Sequence, residues 1–359
     1  MDREVPVGCP RPRFALAVAV LAGLSPAGRG RQTPAPPAVE RMDPALDSIV
    51  PAGARVEKLA GGFNFTEGPV WVPERGYLLF TDNNVAVLHK WAPRESVTTF
   101  LHGPDLDRTS SPLAPLPSGE GNIGGLPGAD GLTLDREGRL YVADDSHRRI
   151  ARLEPDGRLK TIADRYQGKR LNSPNDLVFK SDGSLYFTDP SYGLEQDEKD
   201  PHRELTFAGV YRLKDGQVQL LTKDLRRPNG IAFSPDERFL YVGNSDEVRK
   251  IWMRYQLKPD GTLGPGSMFY DASHADGKGL PDGMKVDQRG NVYATGPGGI
   301  WIISPAGKAL GRIRAPEVPA NCAWGDADGR TLYITAVTGL YRIRLLVPGV
   351  RPEPRKTEH

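Results

Sequence analysis

The 359-residue sequence predicts an all-β fold, a six-bladed β-propeller of four-stranded antiparallel blades whose ring is closed by an N-terminal strand. Three observations predict it. One phrase recurs six times: an acid or amide, a small residue, an apolar strand, a turn, a second strand near Thr or Asp, then a third strand. Its copies begin at Glu67, Asp130, Asn175, Asn229, Asp282 and Asn321, at intervals of 39 to 63 residues, a spacing of propeller blades. Glycine (41) and proline (33) together fill about a fifth of the chain, which suits many turns and disfavours helix interiors. Finally, the sixth copy supplies only three strands before Pro348, while Arg55–Ala60, ahead of the first copy, is a spare strand that can complete it and remove an open edge. A two-domain β-sandwich is the competing architecture.

In chain order, Arg3, Arg11 and Arg13 precede an apolar run from Phe14 to Leu24 and the small residues Ser25-Pro26-Ala27. This is the layout of a secretory signal over 1–28, and the run is too short to span a bilayer. It implies export to a periplasmic or extracellular location, with no membrane span in the mature chain. Residues 29–53 are rich in Pro and Ala and are expected to be a linker separate from the fold, with the propeller over 54–347 and a tail over 348–359. Of the two cysteines, Cys9 falls in the leader. Cys322 is expected to be a small buried residue.

Second strands such as Leu140-Tyr141-Val142-Ala143-Asp144 and Leu185-Tyr186-Phe187-Thr188-Asp189 repeat as regularly as the first, joined by turns such as Arg136-Glu137-Gly138 and Ser181-Asp182-Gly183. With 47 basic and 45 acidic residues the net charge is +2, evenly spread, so a nucleic-acid binder is not expected. Motifs for phosphate cradling and a nucleophile elbow are also absent from the sequence.

The topology gives the repeated acids their meaning. The inner strand of each blade lines the channel, so the six residues that open the copies meet at one mouth. Three are carboxylates, which would repel one another unless a cation relieved them. Oxygen-only ligation favours calcium, then magnesium or manganese, over zinc. Capping of loop backbones by Asp and Asn is the plainer alternative, and Glu67 fits it poorly. Two long insertions, 103–128 and 190–208, fall over the same mouth and are expected to wall a pocket. Asp189, Tyr192, His147 and His202 lie in or beside such loops, and Asp130, Asp189 and Tyr192 are candidate substrate contacts.

The phrases Phe65-Thr66-Glu67-Gly68-Pro69-Val70-Trp71, Leu171-Asn172-Ser173-Pro174-Asn175-Asp176, Arg227-Pro228-Asn229-Gly230 and Leu280-Pro281-Asp282-Gly283-Met284 resemble the gluconolactonase and regucalcin (senescence marker protein) family, most of all bacterial secreted gluconolactonases. The resemblance covers roughly residues 55–346. It implies one divalent cation in the channel and hydrolysis of a small-molecule sugar lactone. By motif, the family's metal ligands fall on Glu67, Asn229 and Asp282, its acid/base also on Asp282, and its substrate-side Asn on Asn175. Two positions depart. Ser173 stands where animal members have Arg, and Asp130 where bacterial relatives commonly have Asn. Other readings are a metal-dependent aryl-esterase or phosphotriesterase on the same scaffold, and a non-catalytic ligand-binding propeller. A monomer or weak oligomer is expected.

Overall fold

The structure is a computed structural model and describes residues 38–102 and 128–352. The leader assigned to 1–28, nearly all of the 103–128 insertion and residues 353–359 lie outside the described residues. Six antiparallel sheets follow one another around a ring. Blade one runs from Thr66–Val72 through Tyr77–Asp82 and Val87–Trp91 to Thr98–His102. Blades two to five repeat the order over 129–163, 177–222, 228–271 and 284–313. Blade six has its own Pro319–Gly325, Thr331–Ala336 and Gly339–Arg344. Its outer strand is Glu57–Gly61, antiparallel to Gly339–Arg344 with Glu57 opposite Arg342 and Gly61 opposite Gly339. The two ends of the ring are therefore hydrogen-bonded to each other, as the spare N-terminal strand predicts.

Each central strand is covered on both faces by neighbouring blades, so its burial is continuous. Leu140 to Asp144, Leu185 to Asp189 and Thr331 to Ala336 are buried at every position. The repeated tyrosine of the second strand packs on an aromatic near the end of the next blade's inner strand. Tyr141 meets Phe179, Tyr186 meets Phe233 and Tyr293 meets Trp324, all edge-on with centroids 4.8–4.9 Å apart. Across the joint Tyr333 of blade six stacks on Trp71 of blade one at 5.5 Å. Such pairs contribute about 0.5–1.5 kcal/mol beyond their buried area, so the repeated Tyr is the seam between blades.

The segment ahead of the first blade differs from its expected role. The composition of residues 29–53 predicts a linker separate from the fold, but Val39–Arg41 forms a fifth strand on blade five, with Val39 opposite Ile313. A short 3₁₀ turn, Pro44–Ser48, follows, capped by Asp43 accepting from the Ala45 amide. Leu46, Ile49 and Val50 are buried with Leu310, Ile313, Leu345 and Val347. A side chain at Gly311 would meet Leu46 at 2.5 Å, so this glycine makes the room. The Pro/Ala composition concealed four apolar side chains (Val39, Leu46, Ile49, Val50) that the outer edge of blade five needs. The C-terminal boundary also moves outward. Gly349 bridges Asp287, and the Val350 amide donates to Val286 O. A small hairpin, Arg165–Tyr166 with Lys169–Arg170, joins blades two and three and has no counterpart among the other described connections.

Leu46→Ala is expected to lower stability by about 2–5 kcal/mol in urea denaturation. A loss below about 0.5 kcal/mol would mean that the segment does not share the core.

Candidate functional site

The local backbone explains why the six repeated residues face the channel. In blades one, two, four and six the pairing slips by a bulge at or beside the repeated residue, between Glu67 and Val70, Ala129 and Leu132, Pro228 and Ile231, and Pro319 and Asn321. A bulge re-aims one side chain out of the ladder. The glycine that follows lets adjacent blades touch backbone to backbone: an added Cβ would lie 2.0 Å from Asp130 O at Gly68 and 2.2 Å from Asp282 O at Gly230. Second-strand threonines tie these backbones together. Thr81 Oγ1 donates to Asp130 O at 3.1 Å, and Thr295 Oγ1 to Ala320 O at 3.0 Å.

Around the mouth, acids and amides are paired. Asn321 Nδ2 donates to Glu67 Oε2 at 3.0 Å, and Asn175 Nδ2 to Asp130 Oδ2 at 2.6 Å. Asn229 stands beside Asp282 and favours its charged form. Each ring carboxylate thus has an amide side chain from an adjacent blade next to it. Five of the six are buried, and Asp282 alone is partly exposed.

Electrostatics follow from this crowding. Burial pushes Glu67 up to about 7, opposed by the Gly68 amide and Asn321. Asp282 is raised well above the usual carboxylate range by desolvation and then by Glu67 and Asp176. Asp130 is raised by desolvation, Glu67 and Asp145. A mouth that resists holding all its negative charge would be relieved by a hard cation. Among the described residues no three His, Cys, Asp or Glu side chains could hold a metal by themselves. A cation here would need amide oxygens as well, and Asn175, whose Nδ2 is spent on Asp130, and Asn229, beside Asp282, fit that requirement.

Three further residues belong to the mouth. Asp145, next to the end of blade two's second strand, is buried with Oδ1 unpartnered. Asp176 occupies the position that is glycine in four other copies, and its Oδ2 lies 3.9 Å from Lys285 Nζ. Lys285 also donates to Met284 O and to Asn321 Oδ1. Sequence reasoning missed Asp145 and Lys285 because neither opens a copy. Asp176 broke the glycine rule and was in principle visible.

The loop candidates divide. Tyr192 lies near enough to Asp282 to feel its charge, with its hydroxyl donating to Ser245 O at 3.3 Å and Arg227 over its ring at 5.5 Å. Asp189, expected at the substrate, is instead a loop clamp. It is fully buried, and its two oxygens accept the amides of Asn172 at 2.9 Å and Ser173 at 2.7 Å. Asp82 clamps Asn64 and Phe65 in the same way. In blades one and three the Asp that ends the second strand therefore holds the approach to its own inner strand. Ser173 accepts the Gly193 amide at 2.7 Å, fastening the 190–208 insertion. His147 and His202 pair with Asp144 and Asp200 within their own loops. Cys322 is buried, as expected.

The chain is 38% identical over 318 residues to a gluconolactonase of Zymomonas mobilis, covering 85% of each sequence. A solved structure described as a gluconolactonase of Xanthomonas campestris shares 29% identity with a TM-score of 0.72, covering 86% of this chain and 94% of that one. The fold is also shared, at 19% identity and a TM-score of 0.66, with a structure described as regucalcin, a calcium-binding protein, from Agrobacterium tumefaciens, over 84% of this chain and 98% of that one. Residues 65–338 match the family described as the SMP-30/Gluconolactonase/LRE-like region, a span that holds all six repeated residues and all but the closing edge of the ring. The chain therefore belongs to the SMP-30/gluconolactonase/LRE-like family.

Proposed function

We propose that the protein is a divalent-cation-dependent lactonase that opens a sugar lactone such as gluconolactone to the aldonic acid, with calcium as the expected ion and an exported location. The observation that carries this reading is the mouth itself: three carboxylates, each with an amide side chain from an adjacent blade beside it. The gluconolactonase relatives support the substrate class.

Glu67, Asn229 and Asp282 would hold the cation, with Asn175 on the substrate side. When bound, a divalent ion supplies Lewis-acid polarisation of the lactone carbonyl. Asp282 is the ring carboxylate that is partly exposed, which supports its role as the group that would take a proton from an attacking water. Asn229 keeps its carboxylate aimed. Tyr192 offers a flat apolar face, held by Ser245 and Arg227, against which a sugar ring can rest. Asp130, bonded to Asn175, orients the amide that meets substrate. A carboxylate close to a cation is a weak base, which matches an activated cyclic ester and not an amide.

Asp282→Asn is expected to lower kcat for gluconolactone about 10²–10⁴-fold while calcium still binds; a pH-indicator assay reads the rate, and near-wild-type turnover would remove Asp282 from the mechanism. Chelation should abolish turnover, and calcium should restore it. The pH dependence of stability has a definite sign. Glu67 binds its proton more tightly folded, at about 7, than unfolded, near 4.5. Chelated protein should thus lose stability as pH rises from about 4.5 to 7, and calcium should flatten the loss. Melting temperatures at pH 5 and pH 8, with and without chelator, check this. A chelated protein equally stable at both would contradict it.

A further inference from the structure

The three ring amides are not equivalent. Asn321 spends its carbonyl on the wall: Oδ1 accepts the Cys322 amide at 2.8 Å and Lys285 Nζ at 3.4 Å. Both partners are donors only, so Oδ1 must face them, and only Nδ2 can face Glu67. No comparable pair of donors engages the carbonyl of Asn175 or Asn229 among the described residues. Glu67 is then held at one end. Its Oε2 takes both the Asn321 amide at 3.0 Å and the Gly68 amide at 2.7 Å, leaving Oε1 as the oxygen not tied to the wall. Lys285 completes the arrangement by standing between Asn321 and the buried Asp176, 3.9 Å from the latter's Oδ2, which has no hydrogen-bond partner.

We infer that Asn321 is a positioning residue and not a cation ligand: oriented by Lys285 and the Cys322 amide, it fixes Glu67 by Oε2 and so presents Oε1 to the cation. The inference rests on the cation-dependent reading proposed above. It separates the six repeated residues into those whose oxygens are available at the mouth and one whose oxygen is consumed behind it. Lys285 acts at one remove, as a cation built into the channel wall. It neutralises Asp176 and keeps the Asn321 carbonyl turned away.

The test compares full-length wild type with Asn321→Leu, which keeps the side chain's size but neither donor nor acceptor. A crystal structure of the variant without added metal is expected to show the Glu67 carboxylate turned away from its position on the Gly68 amide; an unmoved Glu67 would overturn the inference. Calorimetric titration with calcium is expected to show one ion still bound, about 10–100-fold more weakly, the size of effect for an outer-shell partner. Complete loss of binding, as expected for Asn229→Leu, would make Asn321 a ligand. Unchanged affinity would make it a bystander. A purely structural role would lower the melting temperature without moving the calcium affinity, and that result also overturns the inference. Should Asn321→Leu fail to fold, Asn321→Ser, too short to reach Glu67, is put through the same measurements. Wild type that takes up no calcium would defeat the cation reading itself, and the Glu67 geometry would then decide the positioning role alone.

Discussion

The structure depends on closure of the ring. Glu57–Gly61, joined to the last strand of blade six, and Trp71 stacked on Tyr333 bring the first and last blades together. Without that joint, Glu67 and Asn321, 254 residues apart, could not share a hydrogen bond. An open sheet of the same blades would leave one long edge unpaired and would separate the site into two halves. Closure therefore protects the edges and assembles the mouth.

Closure also concentrates charge. Glu67, Asp130, Asp145, Asp176 and Asp282 come together where solvent is scarce, a placement that opposes folding when all are ionised. The chain meets this with three amide–carboxylate pairs and one lysine. The rigidity of the scaffold keeps these groups in place: bulges aim the side chains, glycines allow backbone contact between blades, and Thr81 and Thr295 on the second strands of blades one and five bond to the inner strand of the next blade. A site held this firmly can favour a bound cation and an activated ester without reorganising.

Two groups of residues changed role between sequence and structure. Asp189 looked like a pocket residue because it borders a long insertion, yet a fully buried carboxylate taking two backbone amides belongs to the loop it clamps. The turn-forming alternative, weighed for the ring itself, was thus correct one strand further along. Residues 39–50 read as linker by composition, whereas a few apolar side chains spaced among Pro and Ala cover the outer edge of blade five.

By itself the sequence determined the blade count, the closing strand, the burial of Cys322 and the six residues at the mouth. The reason is that a propeller repeats its local chemistry, and each copy states the same turn, the same small residue and the same Tyr. What does not repeat was decided by tertiary structure alone. Which amide serves which carboxylate, that Lys285 reaches across to Asp176, and that Asp145 joins the mouth are contacts between blades. No spacing along the chain encodes them, because they depend on how far each blade is rotated and how close the ring brings side chains from opposite ends of the sequence.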